Sequence, residues 1–231
     1  MKKSIQNTDA LSFLKQLKND SVDLILTDPP YGISRNTGFQ SCVNGVDRFK
    51  ISYDFGEWDH NIPFEYMQNV FSEFYRVLKP HGTCIVFYDL WKITTLKDML
   101  ERSKFKQIRL IEWLKTNPVP INSKRNYLTN SREIALSCVK KSKPTFHSEY
   151  DNGVYKYPIC QDKGRFHPTQ KPLRLLEDLI VKHSNKNELV LDTFAGSFSC
   201  KVACDNTNRR FIGCELNKEY FDKSKVILNL D

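Results

Sequence analysis

Residues 188–215 read ELVLDTFAGSFSCKVACDNTNRRFIGCE. An apolar run over 188–192 ends on Asp192, turns through Gly196 and gives way to helical spacing over 197–206. A second run, RFIGCE over 210–215, then ends on Glu215. Strand, helix and strand in this order predict a parallel unit, and open α/β sheets bind ligands at the carboxyl ends of their strands. Gly196 would let a ligand approach backbone N–H groups at the helix start. A carboxylate about 20 residues further on suits the hydroxyls of a ribose. The pair Asp192 and Glu215 therefore points to a nucleoside-type ligand, while the lack of GxGxxG disfavours NAD and FAD.

The rest of the chain repeats the theme. Periodicity predicts strands over 22–27, 83–88, 105–114 and 132–140, and helices over 63–78, 91–103, 172–184 and 217–228. The helix over 63–78 should stop at "KPHG", and Pro172 stands in the first turn of the next long helix. Such alternation predicts a mainly parallel sheet covered on both faces, within one domain over 1–231. Residues 34–61 show no sustained period and contain Gly38, Gly45 and Gly56. A loop of that length in a compact domain is expected to be mobile and functional.

The strand over 22–27 opens the stretch VDLILTDPPYGIS, residues 22–34. Asp28 falls at its carboxyl end. Pro29 and Pro30 have fixed φ and no N–H, so their carbonyls are held rigidly. Tyr31 adds a ring face. A carboxylate, a rigid carbonyl and a stacking surface together suit a planar group bearing an NH₂. A surface turn capped by Asp28 is the plain alternative.

Composition narrows the partners. At 40% hydrophobic and 27% charged the chain has ordinary globular values. It shows no apolar run of membrane-spanning length, and its start lacks a signal-peptide core, so a cytoplasmic protein is expected. Seven cysteines without a CxxC pair read as reduced thiols, with neither a disulfide framework nor a structural metal site. The net charge is +8, and between Lys115 and Arg165 ten basic residues face four acidic ones. Tyr127, Phe146, Tyr150, Tyr155 and Tyr157 are interleaved there, combining phosphate-pairing charge with stacking surface. A solvated basic face would carry the same charge.

DPPY over 28–31, HPTQKP over 167–172 and DTFAGS over 192–197, in this order, resemble the β-group of DNA amino-methyltransferases. EWD (57–59), RVLKPHG (76–82) and KTNPVP (115–120) fall where that group has similar segments, so the resemblance spans almost the whole chain. It implies a circularly permuted, Rossmann-like methyltransferase fold with a mainly parallel seven-stranded sheet. The implied reaction is methyl transfer from S-adenosyl-L-methionine (AdoMet) to an exocyclic nitrogen of a flipped base in double-stranded DNA. Asp first in the tetrapeptide implies adenine N6, with Asp28, Pro29, Pro30 and Tyr31 catalytic. Asp192, Phe194, Gly196 and Ser197 would line the methionine end of AdoMet and Asp28 would border it. Glu215 would hold the ribose, Asp9 and Ala10 the adenine, and Thr169 and Lys171 the carboxylate side. His167 is expected to make a structural hydrogen bond.

Residues 115–165 would then recognise the target, with Lys124, Arg125 and Arg132 as candidate DNA contacts. A second copy, a cognate restriction endonuclease and a companion methyltransferase are the partners to consider. One position departs from the family pattern Gly-Ser-Gly-Thr: Phe198 follows Ser197. A side chain there would crowd the cofactor if the backbone needs positive φ. Three rivals stay open: cytosine-N4 methylation, methylation of a protein amide or RNA, and a DNA-binding subunit impaired by Phe198.

Overall fold

Strand β2 (Val22–Thr27) is buried along its whole length, which is why its sequence is apolar rather than alternating. It lies between β9 (Leu189–Asp192) and β5 (Leu78–Tyr88), parallel to both. The computed structural model describes residues 4–30, 63–118, 130–141, 143–159 and 170–228, together with the backbone of 38–43 and 46–52. Beyond β9 lie β10 (Arg210–Glu215) and the edge strand β1 (Ile5–Asn7), again parallel. On the other side come β7 (Arg132–Val139), antiparallel to β5, then β6 (Lys106–Lys115) and β8 (Val154–Tyr157). The sheet therefore has eight strands where the sequence predicts seven.

Helices cover both faces. Ile25 of β2 joins Phe13, Phe71, Phe74 and Leu96 from α1 (Ala10–Leu14), α2 (Phe64–Val77) and α3 (Ile93–Arg102). Its neighbours Leu24 and Leu26 point the other way. They pack with Leu175, Leu179, Phe198 and Ala203, contributed by α4 (Leu173–His183), α5 (Ser199–Asn206) and the turn before it. Phe221 of α6 (Lys218–Ile227) closes this second core. The alternation along one strand thus divides the apolar residues between two layers.

Several boundaries differ from expectation for local reasons. β1, α1 and β8 are three to five residues long, too short to display a period. β5 begins at Leu78, immediately before the predicted stop signal, and runs through it. Val22 pairs with Leu78, but Leu24 pairs with Thr83, so residues 79–82 bulge. The bulge accommodates Pro80, which has no ladder N–H. Gly82 is required there, because a Cβ would lie 2.8 Å from the Asp23 carbonyl oxygen. A single 3₁₀ turn (Leu90–Lys92) precedes α3. Within 34–61, β3 (Gly38–Val43) and β4 (Val46–Ser52) form an antiparallel hairpin. Its register shifts between Ser41 and Cys42, which breaks the period-two pattern by which a strand is read.

Among the described residues no helix is long and apolar enough to cross a membrane. Cys84, Cys138, Cys200, Cys204 and Cys214 are free, buried thiols.

Candidate active site

Five neighbouring parallel strands end along one edge of the sheet, and the acidic residues collect there. Asp28 follows β2, Asp192 ends β9, Glu215 ends β10, and Asp9 follows β1 at the start of α1. The decisive contact is between the two motifs. Thr27 donates its hydroxyl to Asp192 Oδ1 at 2.7 Å, across 165 residues of sequence. The Asp-Pro-Pro stretch and the glycine turn are therefore adjacent, with Pro29 and Pro30 buried behind Asp28.

The turn is built around the two carboxyl groups. Phe194 N–H donates to Asp192 Oδ1 at 3.0 Å. Gly196 N–H donates to Glu215 Oε2, and Asn217 N–H to Oε1, each at 2.7 Å. The Gly196 N–H, which sequence reasoning reserves for a ligand, is thus engaged by Glu215. Burial pushes the Asp192 carboxyl up to about 7, against the Thr27 and Phe194 hydrogen bonds, and the nearby charges of Asp28 and Glu215 push the same way. Burial also raises Glu215, against its backbone N–H bonds. Asp9 caps α1 by accepting from Ser12 N–H at 3.0 Å, and Ala10 is buried beside it. Ser197 and Ser199 share a hydroxyl contact of 2.9 Å, and Phe194 is partly buried against the α1–α2–α3 core.

Phe198 does adopt positive φ, at +57°. Its ring does not crowd the turn. It is fully buried and meets Phe211 and Phe221 edge-on, at centroid distances of 6.1 and 6.0 Å. The family's glycine is replaced by a core anchor that tolerates a left-handed backbone costing about 1–2 kcal/mol. Phe198→Gly should accordingly lose about 2–4 kcal/mol of stability, because losing a buried ring outweighs the relief of strain. AdoMet affinity should not improve. Chemical denaturation together with calorimetric titration checks both.

Lys171 completes the site. The sequence reading gives it to the cofactor's carboxylate, but the structure engages its ammonium elsewhere. It is 7% exposed, ion-paired to Asp28 Oδ2, and 3.1 Å from Glu133 Oε2. It also lies 4.9 Å from the Phe87 ring centroid. Lys115 reaches the other oxygen of Glu133 at 2.8 Å. Burial alone would lower the Lys171 ammonium, but the charges of Asp28 and Glu133 overcome this and hold it well above the usual lysine range. Burial likewise opposes ionisation of Glu133, and Lys171 and Lys115 hold it below the ordinary carboxyl value.

Sequence reasoning missed Thr27, Phe87 and Glu133. A carboxylate inside the apolar run REIALSC was the available signal for Glu133. Arg132, at the start of β7, lies on the same edge with its side chain 61% exposed and paired to Glu112. Tyr31, Lys124, Arg125, His167 and Thr169 lie outside the described residues.

A DNA methylase family model, N6_N4_Mtase, matches residues 22–226. The chain belongs to this DNA methylase family. Its relatives include the Type II methyltransferase M2.LlaDCHI of Lactococcus lactis subsp. cremoris, 33% identical over 96% of this chain and 88% of the relative. DNA adenine methyltransferase YhdJ of Escherichia coli (strain K12) is 29% identical over 94% of this chain and 80% of the relative. The M1.HpyAVI–SAM complex superposes with a TM-score of 0.73 at 31% identity, covering 98% of each chain. The cytosine-N4-specific PvuII DNA methyltransferase superposes at 0.74 over 95% of this chain and 84% of its own, but at 17% identity it shares the fold alone.

Proposed function

We propose that this DNA methylase transfers the methyl group of AdoMet to N6 of an adenine flipped out of duplex DNA. The observation that carries this reading is the Thr27–Asp192 hydrogen bond of 2.7 Å, which sets the end of β2 beside the end of β9. Two buried carboxyl groups with raised proton affinity, on adjacent strands, fit a ligand bearing an ammonium group and vicinal hydroxyls. Asp192 would meet the cation, Glu215 the ribose and Asp9 with Ala10 the adenine, while Phe194, Gly196 and Ser197 form the wall.

AdoMet supplies an electrophilic methyl group on a sulfonium. Asp28 and the Pro29 carbonyl accept the two N6–H bonds, raising electron density on the nitrogen and setting its attack geometry. The gain comes from positioning and electrostatics. Tyr31 would stack on the extruded base and offset part of the few kcal/mol that flipping costs.

Adenine is favoured by Asp28 at the head of the tetrapeptide and by the name of one relative. The impaired-subunit rival loses its motive, because the Phe198 ring is buried in the core. Labelled methyl transfer to duplex DNA, followed by nucleoside analysis, should yield N6-methyladenine. N4-methylcytosine, or no incorporation, would end this reading.

Residues 115–165 take the role of target recognition, with Lys124, Arg125 and Arg132 on DNA. Part of the segment 34–61 would close on the flipped base. Just past β5, Leu90 and Trp91 stand exposed on the catalytic edge, Trp91 at 89%. The turn presenting them is fixed by Asp89, which accepts from Trp91 N–H at 2.7 Å. Base–aromatic stacking contributes about 1–3 kcal/mol, so Trp91→Ala should weaken duplex affinity about tenfold with AdoMet affinity unchanged. Arg132→Ala should flatten the salt slope by about one. Titrations at several salt concentrations measure both. The Type II names among the relatives support a restriction–modification setting. Action in the cytoplasm, with a cognate endonuclease, a companion methyltransferase or a second copy as partner, belongs to the same proposal.

A further inference from the structure

Lys171 has three N–H donors, and the structure accounts for its surroundings on three sides: Asp28, Glu133 and the face of Phe87. Asp28 is thus approached by a lysine that is itself held in place by a second carboxylate. Glu133 is in turn held by Lys115. Asp28, Lys171, Glu133 and Lys115 alternate in sign and sum to zero charge.

The four come from separate segments. Asp28 follows β2 and Lys171 precedes α4, while Lys115 ends β6 and Glu133 is the second residue of β7. Lys115 and Glu133 therefore bracket residues 116–132, inside the region assigned to target recognition.

A lone buried ammonium on Asp28 would work against the chemistry. Donation from Lys171 withdraws electron density from the carboxylate that must accept from N6. A buried cation with one partner also concentrates its whole charge on that partner, where low polarity magnifies the interaction. A second anion at 3.1 Å divides that charge. The carboxylate of Asp28 offers about four lone-pair positions. It can thus be oriented by Lys171 and still accept the substrate amine, provided the ammonium does not dominate it.

We propose that Glu133 is a positioning residue for methyl transfer: by sharing the Lys171 ammonium it lets Lys171 orient Asp28 without suppressing Asp28 as a hydrogen-bond acceptor. This rests on the reading of Asp28 given above. Glu133 touches neither substrate nor cofactor in this scheme and acts only through Lys171. Since Lys171 stays protonated, the group is a fixed electrostatic frame and not a proton relay. The proton released from N6 after transfer leaves to solvent.

The test compares Glu133→Gln and Glu133→Asp with the wild type in steady-state and single-turnover methylation of duplex DNA. AdoMet affinity, duplex affinity and thermal unfolding are measured on the same preparations. Glu133→Gln should lower kcat about tenfold to hundredfold, the scale of a misplaced reacting group, with KM for AdoMet and duplex affinity within about twofold. Glu133→Asp, which keeps the charge, should recover most of the rate.

Unchanged kcat in Glu133→Gln would overturn the assignment. So would a rate loss accompanied by an equal loss of AdoMet affinity, or one equally deep in Glu133→Asp. Each of these would reduce Glu133 to a structural strut. A wild-type chain that methylates no DNA is a different failure, since it removes the assigned reaction and not the role of Glu133 within it.

Discussion

Asp28→Asn should lower methyl transfer about a thousandfold while leaving AdoMet affinity within a few-fold. The substitution keeps the shape but replaces one carboxylate oxygen with an NH₂ donor. That donor faces the Lys171 ammonium or the substrate N6–H, and neither arrangement forms a hydrogen bond. Removing one preorganised electrostatic group costs about 10²–10³ in rate. Here the same change also reverses the polarity offered to the nucleophile, so the upper end is expected. Lys171 keeps Glu133 as a partner at 3.1 Å, and this limits the cost of leaving a buried ammonium half-paired. Single-turnover transfer and isothermal titration on one preparation separate chemistry from folding. Near-wild-type turnover by Asp28→Asn would remove Asp28 from the mechanism. Parallel loss of turnover and AdoMet affinity would make it a cofactor residue instead.

Much of this architecture was legible because buried parallel strands are written as short apolar runs and their ends are marked by chemistry. β2, β9 and β10 were each readable with an acidic residue at or just past the last position, and those three ends lie side by side on one edge of the sheet. Their adjacency was harder to derive, since β2 and β9 pair across most of the chain. The family resemblance implied it, and Thr27 supplied the physical contact that no spacing rule announces. Phe198 shows the opposite limit. Its backbone conformation was foreseeable from its place in a glycine turn, but the direction of its ring depends on Phe211 and Phe221. Lys171 is similar: a lysine in a motif reads as a ligand contact, whereas its partners arrive from β2 and β7. Side-chain destinations between distant segments are set by packing, to which local pattern is blind.

Asp192→Asn should make the apoprotein more stable at pH 8 and abolish its high-affinity binding of AdoMet. Burial holds the Asp192 carboxyl at about 7, far above its ordinary 3.8. Because the folded-state value is raised, the folded chain keeps a proton that the unfolded chain has released between about pH 4 and 7. Stability from this group is therefore full at acid pH and is lost as pH rises to 7. Above that the penalty has an upper bound of about 4 kcal/mol. Asparagine escapes it and can still accept from the Thr27 hydroxyl and the Phe194 N–H. Unfolding of the variant should thus shift upward by several degrees at pH 8 and converge with wild type near pH 4. Cofactor binding runs the other way. An ammonium group pairs with the ionised carboxylate, so wild-type affinity should fall about tenfold from its alkaline plateau to pH 6 as the proton competes. Without that charge the variant should lose about a hundredfold or more in affinity, and its remaining binding should be flat with pH. Thermal scans and AdoMet titrations across pH 5–9 decide the matter. A variant less stable than wild type at pH 8, or wild-type affinity indifferent to pH, would show that Asp192 serves the turn and not the cation.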